Sequence, residues 1–160
     1  MKVIIRPIRN SDAGISYKWR NDPDIWKYTF NRPNIVVTPR IERQWIESVL
    51  KTPNRRTFAI CIGKKHKYVG NVQLLDITED TGEFGIFIGD KRYWNKGIGQ
   101  KAIKLLAKYA KTVLNLHCLF LSVKKDNIPA RKCYEKCGFR QIEILNETDI
   151  RMELKLNRGY

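Results

Sequence analysis

Apolar positions along this chain change their spacing several times, and each change marks an expected element. Val3, Ile4 and Ile5 form a short apolar run closed by Pro7, so residues 1–7 are predicted to be a first strand. Ser11 is placed to cap a first helix running to Arg20, which Asn21-Asp22-Pro23 then breaks. Residues 26–39 hold Trp26, Tyr28 and Phe30, are interrupted by Pro33 and Pro39, and are predicted to be irregular. A second helix is predicted over residues 40–50, stopping before Thr52-Pro53-Asn54. Residues 58–62 and 68–75 read as a hairpin around Gly63-Lys64-Lys65-His66-Lys67, and Thr81-Gly82 turns the chain into a strand over residues 83–89. After Gly97, Ile98, Ala102, Leu105, Leu106, Tyr109 and Val113 recur at three- and four-residue steps, the pattern of a long amphipathic helix. Lys101, Lys104, Lys108 and Lys111 make a separate stripe on it, read as its solvated face. Residues 118–123 give a further strand, and residues 139–144 and 150–156 a closing hairpin.

Two segments carry chemistry. In Trp94-Asn95-Lys96-Gly97-Ile98-Gly99-Gln100, glycines join a strand to the start of the long helix. A helix N-terminus presents unpaired N–H groups and a partial positive charge, which suits an anionic phosphate, and glycine lets the backbone come close to it. The second segment, Asp126 to Phe139, reads as a short helix with Asp126 or Asn127 as its cap, Pro129 in its first turn and Gly138 as its terminator.

Charge and cysteines narrow the partners. The 160 residues carry a net charge of +15, which calls for anionic company or reflects a Lys-rich compositional habit. The basic residues are spread (Arg55-Arg56, Lys64-Lys65, Lys101 to Lys111, Lys124-Lys125) with no nucleic-acid module around them, so nucleic acid is not expected as the main partner. Length predicts one domain over residues 1–160, burying roughly two thirds of its unfolded surface. No apolar run approaches the ~20 residues of a membrane span, and residues 1–7 are too short in their apolar part for a secretory signal, so a cytoplasmic protein is expected. Cys61, Cys118, Cys133 and Cys137 form no Cys-x-x-Cys pair and His66 and His117 lie elsewhere, so no metal is expected. Cys61 and Cys118 read as small core residues, and Cys133 and Cys137, one helical turn apart, as packing residues rather than nucleophiles.

Strand, glycine turn, helix, strand, then an Asn-started helix ending Tyr134-Glu135-Lys136-Cys137-Gly138-Phe139: this order resembles the GNAT superfamily of acetyl-CoA-dependent N-acetyltransferases. Trp94 to Gly99 looks like the family's pyrophosphate loop, and Asn127 with residues 134–139 like its second signature, over a matched core of residues 58–139. The resemblance implies an α/β fold: a mixed, mostly antiparallel central sheet with helices on both faces, two parallel strands of which splay apart to bind acetyl-CoA. It implies that backbone groups of Ile86, Phe87 and Ile88 take the pantetheine arm as an added strand, and that Trp94, Asn95, Lys96, Gly97, Ile98, Gly99 and Gln100 hold the pyrophosphate through their backbone N–H groups. Many family members carry Gln or Arg where Trp94 stands, which removes one side-chain contact. Asn127 is expected to reach the pantetheine amides, to cap its helix, or both.

The implied reaction is direct attack of a neutral primary amine on the thioester. An alkyl ammonium with a pKa near ~10 must first lose a proton, and Glu83 is the candidate base, directly or through water. Tyr134 is the candidate acid for the departing thiolate. The acceptor is less defined. Trp19-Arg20-Asn21-Asp22-Pro23, Trp26-Lys27-Tyr28 and Trp45-Ile46-Glu47 resemble the branch of ribosomal-protein N-terminal acetyltransferases and of enzymes acting on nucleotide-linked amino sugars. Trp26, Tyr28 and Phe30 are the candidate acceptor contacts, with Arg20, Arg32 and Arg40 available to clamp phosphates; Trp19 and Trp45 alternatively just anchor their helices. The expected acceptor is a small-molecule amine, a nucleotide-linked amino sugar, with a ribosomal-protein N-terminus as the alternative. The second helix lacks the His that relatives in the sugar branch often carry. Polyamines are expected to fit poorly on a +15 protein unless a local acidic pocket overrides net charge. A non-catalytic coenzyme A-binding module is the reading from another class.

Overall fold

The computed structural model describes residues 1–27 and 34–156. Strand β1 (Val3–Pro7) leads through a 3-10 turn (Asn10–Asp12) into α1 (Ala13–Arg20), α2 (Pro23–Trp26) and α3 (Pro39–Leu50). There follow β2 (Arg56–Ile62), β3 (Lys67–Leu75), β4 (Thr81–Ile88), α4 (Ile98–Thr112), β5 (Cys118–Lys124), α5 (Ile128–Lys136), β6 (Arg140–Ile144) and β7 (Asp149–Lys155). The strands make one mixed sheet in the order β1-β2-β3-β4-β5-β7-β6. Only β4 and β5 run parallel; every other neighbouring pair is antiparallel. This is the expected α/β sheet.

Period-2 alternation sends the two sets of strand residues to opposite faces. On one face Phe58, Ile60, Val72, Leu74, Phe84, Leu119 and Leu121 pack against Ile98, Ala102, Ile103 and Leu106 of α4. Ile103 is fully buried although the expected stripe omitted it, while Val113 is exposed because α4 ends at Thr112 and Val113 is its cap. On the other face Ala59, Cys61, Tyr68 and Phe87 pack against Trp19, Ile25 and Trp26. Trp19 sits so close to β4's end that a Cβ on Gly89 would fall 2.0 Å from its indole. Bare backbone at Gly89 therefore seats α1 on the sheet.

The N-terminal helices differ from expectation at two points. Ser11 is not the cap: the Asp12 carboxylate accepts from Arg9 N at 2.8 Å and from both Arg6 guanidinium nitrogens, at 2.7 and 2.8 Å, so α1 begins one residue later. Asn21-Asp22-Pro23 ends α1 as expected but also starts α2, because Asp22 accepts from Asp24 N at 3.0 Å and Pro23 suits a first helical position. Thr38 caps α3 in the same way, accepting from Ile41 N at 3.2 Å. Among the described residues no helix is long and apolar enough to cross a membrane, and no His, Cys, Asp and Glu cluster could hold a metal.

Candidate active site

The sheet opens in its middle. β4 and β5 pair only at Thr81 with Cys118, Gly82 with Leu119 and Glu83 with Phe120. Beyond Glu83, β4 continues to Ile88 with β3 on one side only, so the main chain of residues 84–88 faces a gap on the β5 side. Three rings stand where the strands part: Phe84 lies 5.6 Å from Phe139 and 6.0 Å from Tyr134, and Tyr134 lies 5.8 Å from Phe139, centroid to centroid. Ile86 and Ile88 turn their main-chain groups to this open edge, whereas the expected contact at Phe87 is not offered to it: the Phe87 carbonyl is turned the other way, onto Gly70 of β3. The Ile88 carbonyl is already engaged, accepting from the Trp94 indole N–H at 2.8 Å.

The glycine loop closes the far end of the gap. Asp90 caps a 3-10 turn (Lys91–Tyr93), and Arg92, hydrogen-bonded to it at 2.7 Å, holds its carboxyl below the usual carboxylate range. Asn95 (φ 59°) and Gly97 (φ 76°) are left-handed, which turns the chain so that α4 starts with its first N–H groups free of any side-chain cap. A Cβ on Gly97 would meet nothing within 4 Å, so glycine is needed there for its backbone angle rather than for space. Trp94, Asn95, Lys96 and Gly97 are exposed, whereas the Ile98 side chain is buried in the core and offers only its main chain. An uncapped start of a fifteen-residue helix beside a half-paired strand fits a pyrophosphate joined to an extended arm.

α5 forms the other wall. Asn127 is its cap, with Oδ1 accepting from Ala130 N at 3.4 Å, and Gly138 (φ 101°) ends it. Tyr134 faces the parting point, and burial first, then the neighbouring Cys133 and Cys137, push its hydroxyl well above the usual phenol range. It therefore stays protonated at neutral pH and is equipped to donate. Cys133 Sγ lies 3.6 Å from where a Gly99 Cβ would stand, and the Cys137 thiol points to Gln100 O at 3.8 Å. Both thiols join α5 to the first turn of α4. Cys137 holds its proton in a hydrogen bond with Cys133, which raises its own pKa and lowers that of Cys133.

The opposite mouth of the gap, under α1–α3, is polar. Glu83, at the last paired position, bonds Arg151 of β7, whose guanidinium lies over the Phe120 ring at 4.7 Å. Glu42, 1% exposed, accepts from Ser16 at 3.1 Å and from Arg20 at 3.1 Å. Arg20 in turn lies 3.7 Å from the Trp45 ring centre, and Arg55 approaches the same ring at 5.2 Å. Arg55 donates to Thr57 Oγ1 at 3.2 Å and to Gln73 Oε1 at 2.6 Å. Trp26 is a core residue, its N–H given to Trp19 O at 2.9 Å and its ring 5.5 Å from Phe87, though it also borders a cleft with Arg20, Asn21, Asp22 and Val36. Tyr28, Phe30 and Arg32 lie outside the described residues. The sequence reading did not single out Glu42, Gln73 or Arg151. Gln73 alone had a signal, as one of the polar residues in phase on one face of otherwise apolar strands: Thr57, Asn71, Gln73 and Glu83.

Residues 2–140 match the model of an acetyltransferase (GNAT) domain family. A spermidine N(1)-acetyltransferase of Escherichia coli is 31% identical over 91% of this chain and 77% of its own length. An uncharacterised protein of Methanocaldococcus jannaschii is 26% identical over 97% of this chain, which spans only 31% of that protein's length. Among solved structures, a spermidine N-acetyltransferase of Vibrio cholerae in complex with CoA and spermine superposes with a TM-score of 0.88 at 23% identity, covering 98% of this chain and 96% of that one. The two relatives with a named substrate are spermidine N-acetyltransferases, and neither is specifically of the ribosomal-protein or amino-sugar branch that the tryptophan-bearing segments suggested. Those tryptophans also have packing work: Trp19 and Trp26 fill the core, and Trp45 stacks two arginines.

Proposed function

This chain belongs to the GNAT acetyltransferase family and is an acyltransferase that uses acetyl-CoA; we propose that it passes the acetyl group directly to the primary amine of a small molecule. The observation that carries this reading is Tyr134, a half-buried and protonated phenol, standing where β4 and β5 part. Acetyl-CoA supplies the activated acetyl carbonyl. The main chain of Ile86 and the N–H of Ile88 receive its pantetheine arm as an added strand, Asn127 uses its amide nitrogen on the same arm, and residues 94–100 hold the pyrophosphate. Tyr134 donates its proton to the leaving sulphur. Glu83 takes the proton of the acceptor ammonium, directly or through water, with Arg151 fixing the orientation of its carboxylate. Holding amine and thioester in line provides much of the acceleration, so no enzyme nucleophile is required. The placement of Tyr134 also speaks against a non-catalytic coenzyme A-binding module.

A polyamine acceptor is supported by the names of the relatives, which act on spermidine. The objection from net charge is weak by comparison, because +15 is an average over the whole chain and the acceptor meets only one mouth. A nucleotide-linked amino sugar is supported instead by the arginines on that mouth, and a ribosomal-protein N-terminus by neither. Free-thiol release from acetyl-CoA against polyamines, amino sugars, their phosphorylated forms and N-terminal peptides tests the reading. Turnover with a small-molecule amine is expected; turnover with peptides alone would overturn the small-molecule assignment.

A further inference from the structure

Arg55 is a half-buried guanidinium that has only neutral hydrogen-bond acceptors on its side chain. Its hydrogen bonds go to the Thr57 hydroxyl and the Gln73 side-chain carbonyl, and it shares the Trp45 ring with Arg20. Burial and then repulsion from Arg20 push its pKa below the usual range, against a weaker opposing pull from exposed Asp76. The carboxylate that would neutralise this pair, Glu42, is fully committed to Arg20 and Ser16. Two guanidiniums share one ring, Glu42 is paired to Arg20, and only the weaker pull of exposed Asp76 reaches Arg55, which leaves an unmet demand for negative charge.

That demand lies beside the reaction centre. Gln73, which Arg55 holds, packs on β4 so closely that a Cβ on Gly85 would stand 3.2 Å from its Nε2. Gly85 is two residues from Glu83 on the same face of the strand, a separation of roughly 7 Å. The carboxylate of Glu83 is itself covered by Arg151. A polycation entering this mouth meets Arg20, Arg55 and Arg151, with Glu42 and Glu83 already ion-paired.

We propose that the acceptor carries a phosphate a few bonds from its amine, and that Arg55 with Arg20 receives the phosphate while the amine faces Glu83. This rests on the acetyl-transfer reading above and deepens it by assigning the acceptor's charge. Phosphate suits the site because its oxygens can take two guanidiniums at once.

The test compares thiol release with glucosamine 6-phosphate, glucosamine and spermidine at saturating acetyl-CoA, in wild type, Arg55→Gln and Arg55→Lys. The expected result is a kcat/KM for the phosphorylated sugar roughly ten-fold or more above that for glucosamine, carried by KM. Arg55→Gln brings that ratio close to one and Arg55→Lys retains part of it. Each variant is its own reference, so the ratio does not depend on how much of it is folded, and a merely structural Arg55 would lower both rates together. A wild-type ratio at or below one, a ratio untouched by Arg55→Gln, or a preference for spermidine overturns the proposal while leaving acetyl transfer intact. Silence with all three amines contradicts the acetyl-transfer reading itself and the proposal with it.

Discussion

The two mouths of the gap between β4 and β5 are built on opposite plans. On the donor side, the parts that would touch the ligand are mostly main chain: the open edge of residues 84–88, the left-handed Asn95 and Gly97, and the uncapped start of α4. On the acceptor side they are side chains: Arg20, Glu42, Trp45, Arg55, Gln73, Glu83 and Arg151, tied by ion pairs, hydrogen bonds and ring contacts. Backbone geometry tolerates side-chain change and suits a donor shared by a whole family. A side-chain network changes with each substitution, so specificity resides there.

The largest effect should come from the donor-side residue whose side chain takes part in the proton transfer. Tyr134→Phe is expected to lower kcat by about 10²–10⁴-fold with little change in acetyl-CoA affinity, measured by steady-state rates and calorimetry. Because burial raises the Tyr134 pKa, its proton is retained above the ordinary phenol value of ~10. The wild-type kcat should accordingly show no fall from Tyr134 as pH rises through 10; a fall there that Tyr134→Phe abolishes would contradict the raised pKa.

Next comes the acceptor network. Glu42→Ala removes a buried carboxylate from Arg20 and Ser16, and thermal unfolding should report a loss on the order of 2–3 kcal/mol, since Arg20 keeps some contact with solvent. A loss below ~0.5 kcal/mol would mean that the network does not hold α1 to α3. Glu83→Gln is expected to cost about ten-fold in kcat/KM or more and to remove the acidic limb of its pH profile; an unaltered profile would assign deprotonation to another group.

Gly97→Ala tests whether backbone conformation alone makes the donor mouth. With open space around a Cβ, its cost is the left-handed angle, about 1–2 kcal/mol, read as a several-fold rise in KM for acetyl-CoA. An unchanged KM would separate the loop from the pyrophosphate. Smallest of all, Lys104→Ala and Lys108→Ala on the exposed face of α4 should shift stability by less than ~0.5 kcal/mol and leave turnover alone.

The same contrast explains what could be read from the sequence. The donor mouth is written in two short segments, residues 94–100 and 127–139, whose glycines, cap and tyrosine are local requirements of a turn and a helix. The seven acceptor-side residues come from α1, α3, the residue before β2, β3, β4 and β7, and only the register of the sheet and the packing of the helices on it bring them together. Tryptophans near Arg20 suggest an acceptor pocket, and in the fold Trp19 and Trp26 also fill the face of the sheet that Ala59 and Gly89 leave open, a packing role that residue type alone does not separate from binding. Asn21-Asp22-Pro23 was legible as a break but not as the start of α2, because the residues that stop one helix are those that cap the next.

Direct transfer within a donor–acceptor complex is the central claim, and initial rates of thiol release measured across both acetyl-CoA and amine concentrations test it most directly. Intersecting double-reciprocal lines, with no acetyl adduct on the intact protein after exposure to acetyl-CoA alone, are the expected result. Parallel lines together with an acetylated enzyme would contradict it and would point to a protein nucleophile, with Cys133 the first to examine.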